Sequence, residues 1–346
     1  MNHTIAIRNQ LSLLLESSSR YCLFCEGIND TFYGSITDLP KVFPNQCYEL
    51  PCSENASVGL AIGAASMGLL PIVNFQRVEF ALLALEQLIN NGAKLSFLSE
   101  GKTSCPSFFR FIIGRGWGQG PSHSQSLETI FGQIPNLNVA LPVFPADSEF
   151  ILGNFHLNDS PTISLEHRWV HYTERHQITP TSLNPYVVRA GNDLTIIATS
   201  YGVIQALKLA KIFSSFGISI EVINQFNLGL FDFRIIFDSV IKTKRLICID
   251  IHQKLYGCGA EIISSIAEAG IKLSAVPKRL SSPHAFSPSS LRMLPEYYLS
   301  LSGIALSVCE LLCIDGNKLN QILADVKLND SLCPPDQPNR QFNGPF

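Results

Sequence analysis

Residues 121–126 read Pro-Ser-His-Ser-Gln-Ser, and residues 54–65 read Glu-Asn-Ala-Ser-Val-Gly-Leu-Ala-Ile-Gly-Ala-Ala. The second run is too apolar and too small-sided for a solvated helix, so we expect Glu54 to begin a buried one. A buried carboxylate needs a partner, because an unpaired charge inside a protein costs several kcal/mol. His123 follows a loop, residues 114–121, in which every second residue from Gly114 to Gly120 is glycine. Alternate glycines let the backbone crowd a ligand, and the two stretches together predict a functional site.

Short apolar runs alternate with amphipathic runs along most of the chain. This alternation is typical of α/β proteins, in which a mainly parallel sheet has helices on both faces. In the first half it predicts strands at 21–25, 47–50, 71–75, 108–113, 138–141 and 162–166, and helices at 5–15, 54–67, 80–97, 126–131 and 146–155. In the second half it predicts strands at 194–199, 219–223, 246–251 and 273–277, and helices at 203–216, 233–241 and 260–268.

The alternation is interrupted between Trp169 and Arg189, where the sequence is polar, contains two prolines and has no sustained period. We therefore predict an α/β protein of two domains, residues 1–170 and 190–328, with a linker at 171–189. Residues 329–346 contain four prolines and few apolar residues, which predicts an extended tail.

The composition limits the class of protein. Apolar residues make up 46% of the 346 residues and charged residues only 15%, so we expect large cores or apolar surface covered by another subunit. The net charge of −3 argues against a nucleic-acid partner. No uninterrupted apolar run approaches the roughly 20 residues that span a bilayer. The N-terminus also lacks a signal pattern, so we expect a cytoplasmic protein. The ten scattered cysteines indicate buried free thiols rather than a zinc site.

The two opening stretches, their spacing and their surroundings resemble the beta subunit of thiamine-diphosphate-dependent 2-oxo acid dehydrogenases, within the transketolase-like group. The resemblance extends from about Thr4 to about Cys309. In the second half, residues 256–262, Tyr-Gly-Cys-Gly-Ala-Glu-Ile, match the family's Gly-x-Gly-x-Glu-Ile helix start. The resemblance implies a transketolase pyrimidine-binding domain followed by a transketolase C-terminal domain. A dinucleotide site, the other interpretation of this glycine pattern, lacks the remaining Rossmann features.

The resemblance assigns three residues to the cofactor's aminopyrimidine ring. It implies that the Glu54 carboxylate binds ring atom N1′ and favours the imino tautomer, so that the cofactor removes its own C2 proton. A helix N-terminal charge, favoured by the helix dipole, is the other interpretation of Glu54. Phe80 matches the position whose ring stacks on the aminopyrimidine, although its pattern alone indicates a core residue. Gln76 stands where many relatives have an apolar residue, which implies different packing over the ring.

His123 matches the family histidine that faces the reacting carbon. The resemblance implies that it orients the 2-oxo acid and moves protons, for which an imidazole that titrates near neutral pH is suited. A hydrogen-bonded loop histidine is the other interpretation. Glu26 matches the acidic residue that ends the family's first strand beside the cofactor cleft. We predict no metal site at His167, His171 and His176, because they leave a strand in a polar linker and share no helix face.

Two stretches depart from the family pattern. Residues 166–169, Glu-His-Arg-Trp, stand where the family has Glu followed by Asn-Glu, so Arg168 is a candidate contact to a different substrate or partner. Residues 224–230, Asn-Gln-Phe-Asn-Leu-Gly-Leu, replace an Arg- and Pro-containing turn before Asp232. The second change weakens the case for the family's usual docking to a dehydrogenase complex.

Chains that bind the whole cofactor contain a Gly-Asp-Gly run that holds Mg²⁺ and the diphosphate, and this sequence has none. The loop at residues 114–118 is glycine-rich but lacks metal-binding carboxylates and the end of a phosphate loop. The resemblance therefore implies that this chain holds the pyrimidine end of thiamine diphosphate, while an alpha subunit supplies the Mg²⁺ and diphosphate end. It also implies a beta dimer alone and an alpha2beta2 tetramer with the partner.

The implied activity is decarboxylation of a 2-oxo acid followed by acyl transfer to a lipoyl or similar thiol acceptor, with a lipoyl acyltransferase as a further partner. Two alternatives stay open. One is a split transketolase-like enzyme that moves a two-carbon ketol unit between sugars or onto a carrier. The other is a catalytically silent scaffold with the same fold, against which the presence of both Glu54 and His123 argues.

Overall fold

A computed structural model describes residues 2–115, 118–174, 176–331 and 337 of the chain. The first half forms a six-stranded sheet whose paired strands are all parallel. Its strands are β1 Tyr21–Cys25, β2 Cys47–Glu49, β3 Leu70–Phe75, β4 Phe108–Ile113, β5 Asn138–Ala140 and β6 Thr162–His167. They lie across the sheet in the order β2-β1-β3-β4-β6-β5.

The second half forms a five-stranded sheet. Its strands are β7 Tyr186–Arg189, β8 Leu194–Ala198, β9 Ile220–Asn224, β10 Leu246–Gln253 and β11 Lys278–Ser282, in the order β11-β10-β8-β9-β7. Only the β7–β9 pair in this sheet is antiparallel. The predicted class, an α/β protein with two mainly parallel sheets, is confirmed.

Helices lie along both sheets. They are α1 His3–Ser17, α2 Leu39–Val42, α3 Glu54–Ser66, α4 Val78–Ala81, α5 Leu95–Leu98, α6 Glu128–Gly132, α7 Pro145–Asn154, α8 Tyr201–Ser214, α9 Arg234–Thr243, α10 Cys258–Glu268, α11 Leu294–Tyr297, α12 Leu301–Leu311 and α13 Gly316–Ser331. Among the helices of the described ranges, none is long and apolar enough to cross a bilayer.

Each face of the first sheet has its own apolar core. Phe109 and Phe111 of β4 belong to one core, whereas Phe108 and Ile112 of the same strand belong to the other. Successive side chains of a strand point to opposite faces, so a strand covered on both faces is apolar at most of its positions. This explains why β1 is apolar throughout and why β3 and β4 are each interrupted by a single polar residue, Asn74 and Arg110.

The two domains are joined by backbone hydrogen bonds as well as by the chain. The Leu141 N–H donates to the Phe226 carbonyl at 2.8 Å, and the Leu228 N–H donates to the Val139 carbonyl at 3.0 Å. The segment after β9, which departs from the family pattern, therefore runs beside β5 of the first sheet.

Four predictions differ from the structure in the kind or the place of an element. The strand expected at 273–277 is wrong, and the sheet is completed by β11 at residues 278–282, a half-exposed edge strand without an apolar signature. The helix expected at 80–97 is broken into α4, a 3₁₀ turn at 82–84, a π-helical segment at 87–93 and α5. Apolar spacing predicts helical winding but does not distinguish these hydrogen-bond registers.

The other two differences concern the linker and the tail. β7 lies at residues 186–189, the end of the predicted linker, because a short half-exposed edge strand also lacks an apolar run. Helix α13 continues to Ser331, so the first three residues of the predicted extended tail are helical. Apart from residue 337, the rest of that tail lies outside the described residues.

Candidate active site

The predicted site residues lie at one edge of the first sheet. β2, β1, β3 and β4 are adjacent and parallel, so their carboxyl ends are on the same side. Glu26 directly follows β1, and Gln76 directly follows β3. Glu54 begins α3 after β2, while Phe80 lies in α4 after β3 and His123 in the loop after β4. The carboxyl edge of a parallel sheet is where α/β proteins usually bind ligands.

Glu26 and Glu54 form a pair of buried acids, with only 7% and 8% of their surface exposed. Burial, followed by the negative charges of Glu54 and Glu49, raises the pKa of Glu26 to about 7, and a hydrogen bond from the Ser53 backbone opposes the shift. Glu49 is fixed because its two oxygens accept hydrogen bonds from the backbone N–H groups of residues 27 and 28, at 2.8 and 2.7 Å. Near neutral pH, Glu26 therefore exchanges a proton beside Glu54.

The buried polar atoms without a hydrogen-bond partner within the described parts of the chain include Glu26 Oε1 and His123 Nδ1 at this edge. Because buried polar atoms are nearly always paired in native proteins, such atoms indicate where a ligand supplies the partner. The ring of Phe80 lies 5.8 Å from the ring of His123 at an interplanar angle of 66°. Two carboxyl groups, an imidazole and an aromatic face fit a flat heterocycle with hydrogen-bonding nitrogens, such as the aminopyrimidine of thiamine diphosphate.

Arg77 and Glu79 hold the loop that contains His123. The Nη2 atom of Arg77 donates to the Gly114 carbonyl at 2.6 Å and also to the His123 carbonyl. The Glu79 Oε1 atom accepts a hydrogen bond of 2.7 Å from the Gln125 N–H, and its Oε2 lies 3.7 Å from Arg77 Nε. Burial lowers the pKa of Arg77, although the charge of Glu79 opposes the shift. Neither residue was predicted from the sequence. The signal that could have indicated them is a pair of opposite charges just after the strand β3.

The second domain packs against the loop that contains His123. Gly118 and Gly120 have φ angles of +66° and +63°, which favour glycine. A Cβ at Gly118 would lie 2.9 Å from the Ser289 carbonyl oxygen, and one at Gly120 would collide with the Ser289 hydroxyl. A Cβ at Gly114, whose φ is +85°, would collide with the His167 ring. The glycines that we predicted to face a ligand are thus required here by close protein neighbours; Gly116 lies outside the described residues.

The histidines near the end of β6 have structural roles. His167 and His171 are buried, which corrects their placement in a polar linker. His171 Nε2 lies 3.1 Å from Glu166 Oε2, and Glu166 also accepts two hydrogen bonds of 2.8 Å from Arg110. The described residues contain no group of three or more His, Cys, Asp or Glu able to hold a metal ion. Buried Arg168 donates to Gln119 Oε1 at 2.9 Å, so it also supports the His123 loop.

Comparisons with known proteins identify the family. The description "Transketolase, pyrimidine binding domain" matches residues 4–169, and "Transketolase, C-terminal domain" matches residues 185–304. The chain is 34% identical over 248 residues to "Pyruvate dehydrogenase E1 component subunit beta-2, mitochondrial" of Oryza sativa subsp. japonica, covering 69% of this chain and 66% of that protein. It is 31% identical over 276 residues to the corresponding beta subunit of Pisum sativum, covering 76% of each chain.

Two further relatives widen the comparison. The beta subunit of the acetoin:2,6-dichlorophenolindophenol oxidoreductase of Cupriavidus necator is 29% identical over 262 residues, which cover 74% of this chain and 78% of the relative. A solved structure, "Split gene transketolase, inactive beta4 tetramer", shares the fold with a TM-score of 0.74 at 18% identity, over 91% of this chain and all of that one. The chain therefore belongs to the family of the beta subunits of thiamine-diphosphate-dependent 2-oxo acid dehydrogenases, built from transketolase pyrimidine-binding and C-terminal domains.

Proposed function

We propose that this chain is the beta-type subunit of a heteromeric enzyme that decarboxylates a 2-oxo acid and transfers the acyl group to a lipoyl or similar thiol acceptor. The observation that supports this most directly is the group of Glu26, Glu54 and His123 at one sheet edge, where Glu26 Oε1 and His123 Nδ1 lack hydrogen-bond partners in the described structure.

Thiamine diphosphate, when bound, supplies an acidic ring carbon that adds to the substrate carbonyl and accepts electrons as carbon dioxide leaves. In our proposal Glu54 holds the aminopyrimidine by accepting a hydrogen bond from N1′. Glu26 shares protons with this site because its pKa of about 7 allows both forms near neutral pH. When Glu26 is protonated, it no longer repels the carboxylate of Glu54.

His123 orients the substrate and moves protons at the reacting carbon in this proposal. Its Nδ1 atom is buried without a partner in the described structure, so that atom is available to a substrate oxygen. Arg77 fixes the His123 backbone and Phe80 packs against its ring. A held imidazole of this kind loses little freedom in the transition state, which favours proton transfer.

The diphosphate and Mg²⁺ end belongs, in our proposal, to an alpha subunit. Large apolar side chains are exposed on α3 and on the segment that packs beside it, namely Leu60, Met67, Leu82, Leu83, Phe97 and Leu98. Exposed apolar surface next to a candidate site is typical of a subunit interface. We therefore propose a beta dimer that assembles with two alpha subunits into an alpha2beta2 tetramer, with a lipoyl acyltransferase as a further partner.

We also propose a cytoplasmic location. The names of the rice and pea relatives both include the word "mitochondrial", which gives the location of those proteins and not of this chain.

Co-expression with a candidate alpha subunit tests the function. The assembled protein should turn over at least one 2-oxo acid, with release of carbon dioxide, when thiamine diphosphate and Mg²⁺ are present. Ketose donors should give no turnover, because the relatives at about 30% identity are named as pyruvate dehydrogenase and acetoin oxidoreductase subunits, whereas the split transketolase is a fold likeness at 18% identity. Turnover of ketoses without turnover of any 2-oxo acid would replace the proposed function with that alternative.

A further inference from the structure

Glu128 and His252 face each other across the boundary between the two domains. Glu128 is the first residue of α6 and is fully buried, whereas His252 lies near the end of β10 and is 7% exposed. The Glu128 Oε1 atom lies 3.9 Å from His252 Nε2, within the distance of an ion pair. Both Glu128 oxygens and His252 Nε2 lack a hydrogen-bond partner in the part of the chain that the structure describes. Since buried polar atoms are nearly always paired, each of the two groups depends on the other.

The hydrogen bonding of the His252 ring fixes the position of its first proton. Nδ1 lies within hydrogen-bond distance of the Gln253 carbonyl oxygen, which can only accept, so Nδ1 carries a hydrogen. A neutral ring then has a lone pair at Nε2, the atom that lies 3.9 Å from the Glu128 carboxyl oxygen. An ionised Glu128 and a neutral His252 would therefore place two acceptors against each other. One proton, on either group, turns this into a contact between a donor and an acceptor.

The pKa shifts agree with one proton held by the pair. Burial lowers the pKa of His252, but the charges of Glu128 and Asp250 and the Gln253 carbonyl outweigh burial, so that the pKa is raised above 6.5. Burial raises the pKa of Glu128, and the charge of His252 opposes the shift. Both groups therefore keep a proton to higher pH than they would in water.

Other ionisable groups surround the pair. They are Asp250 and Cys248 of β10, Arg279 of β11, and Cys258 and Glu261 of α10. Burial raises the pKa of Asp250, while the charges of His252 and Arg279 oppose the shift. Burial also raises the pKa of both thiols well above the usual value, so the thiols stay neutral. Among these groups, Asp250 acts directly on His252 and favours a proton on its ring.

The glycine-rich start of α10 brings the helix close to these side chains. A Cβ at Gly257 would lie 2.6 Å from the His252 ring and 2.7 Å from Asp250 Oδ2. The Gly259 N–H donates a hydrogen bond of 3.0 Å to the same oxygen. The glycine pattern at residues 256–262 therefore allows a close approach of α10 to the end of β10.

The pair also lies next to the loop that contains His123. Ser289 of the second domain packs against Gly118 and Gly120, which precede His123, and Glu128 follows His123 by five residues. Contacts with the second domain thus lie on both sides of His123 along the chain. A change in the distance between α6 and β10 therefore acts on the segment that contains His123.

We propose that Glu128 and His252 share one proton across the domain boundary and act as positioning residues for His123. The positioning role deepens the proposed function and rests on it, whereas the shared proton does not depend on that function. As the pH rises through the raised pKa of His252, the pair gives its proton to solvent and the contact is lost. The proposed enzyme should then lose kcat at alkaline pH.

Nitrogen-15 NMR of the full-length chain, labelled at histidine, tests the shared proton without an assay of activity. The His252 signals are identified by their absence in His252→Gln. In the wild type the Nε2 signal should report loss of the proton with a midpoint above pH 6.5. In Glu128→Gln the midpoint should fall by at least about one pH unit, because the negative charge is removed and burial then favours the neutral ring. The control Glu268→Gln, an exposed residue of α10, should leave it unchanged.

A wild-type midpoint below pH 6.5 would overturn the proposal, as would the same midpoint in the wild type and in Glu128→Gln. If Glu128→Gln fails to fold, the wild-type titration decides alone.

Two substitutions of Glu128 test the positioning role in the enzyme assembled with its alpha subunit. Glu128→Ala removes the contact and should lower kcat on the order of tenfold at neutral pH, with nearly unchanged affinity for thiamine diphosphate. An amide can donate to the neutral His252 ring without the shared proton, so the kcat of Glu128→Gln relative to the wild type should rise with pH. A constant ratio across the pH range, or a wild-type kcat in Glu128→Ala, would overturn the positioning role. Absence of turnover in the wild type would count against the proposed function, and the NMR titration would still decide the shared proton.

Discussion

The two sheets of this molecule have similar architecture but different roles. The carboxyl edge of the first sheet presents Glu26, Glu54 and His123, and two of these residues have buried polar atoms without partners in the described structure. The second domain instead contributes packing to that edge, since Ser289 lies against Gly118 and Gly120 of the His123 loop. In the proposed enzyme, similar elements therefore supply the reacting groups in one domain and fix their position from the other.

Among the tests of this difference between the two domains, removal of the Glu54 charge should have the largest effect on activity. Glu54→Gln should lower kcat/KM of the assembled enzyme by a factor on the order of 1,000, because an amide cannot take the carboxylate's part in proton transfer. Steady-state decarboxylation assays measure the loss, and circular dichroism should show an unchanged fold. The control Glu16→Gln, at an exposed position, should retain wild-type activity. Near-normal turnover by a folded Glu54→Gln complex would remove Glu54 from the mechanism.

Truncation of His123 should have the next largest effect and should separate catalysis from cofactor binding. His123→Ala should lower kcat by a factor on the order of 100, because an oriented acid–base group is lost at the reacting carbon. Titration of thiamine diphosphate into the assembled variant should give nearly wild-type affinity. The exposed residue His284 offers the control His284→Ala. A large loss of cofactor affinity with normal turnover at saturation would move His123 from the reaction to the binding of the ring.

A methyl group at Gly120 tests the contact from the second domain. Gly120→Ala should lower the free energy of unfolding by about 3 kcal/mol, because the new Cβ would meet Ser289 at a positive φ. Gly101→Ala is the control, since Gly101 has a φ of +75° and open space around a Cβ. The control should lose only about 1 kcal/mol.

The same contact can be isolated by a second substitution. Adding Ser289→Gly to Gly120→Ala should restore part of the lost stability and activity, because it removes the colliding hydroxyl. Urea unfolding and turnover of the single and double variants measure both quantities. Equal losses in Gly120→Ala and Gly101→Ala would show that backbone strain alone, and not the second domain, acts on the loop.

Neutralising Glu26 should have the smallest effect, and its sign depends on pH. The pKa of this carboxyl is raised from 4.5 to about 7 on folding, so its contribution to stability is fully present below pH 4.5 and is lost as the pH rises through 7. Glu26→Gln removes that loss. Above pH 7 the variant should therefore exceed the wild type in free energy of unfolding by on the order of 2 kcal/mol.

Unfolding curves of the cofactor-free chain across this pH range measure the difference. The two proteins should converge in stability at acid pH, where Glu26 is protonated and resembles the amide. A constant difference at every pH would mean that Glu26 has an ordinary pKa in the folded chain. Glu16→Gln again serves as the control, because an exposed carboxyl should not change this profile.

Much of the fold could be predicted because the buried strands are apolar at most positions. β1, β3, β4 and β8 lie where short, predominantly apolar runs predicted them, since sheets covered on both faces favour such runs. The two edge strands of the second sheet, β7 and β11, were missed or misplaced because they are partly exposed to solvent. Their sequences therefore mix polar and apolar residues without a clear pattern. The register changes within residues 78–98 depend on tertiary packing, which apolar spacing does not encode.

The residues of the candidate site also divide into those that the sequence predicts and those that it does not. Glu54 and His123 could be singled out because each lies in an unusual local sequence, a small-residue helix and a glycine-rich loop. Arg77 and Glu79 could not, because their role comes from backbone groups about 40 residues away in the chain. The pairing of Gly118 and Gly120 with Ser289 joins two domains, so no local pattern shows it.

The central claim is that this chain holds one end of a cofactor site that an alpha subunit completes. Calorimetric titration of thiamine diphosphate with Mg²⁺ into the isolated chain, and then into the chain assembled with its alpha partner, tests it most directly. We expect weak binding by the isolated chain and tight, Mg²⁺-dependent binding by the assembly. Tight, Mg²⁺-dependent binding by the isolated chain would contradict the claim.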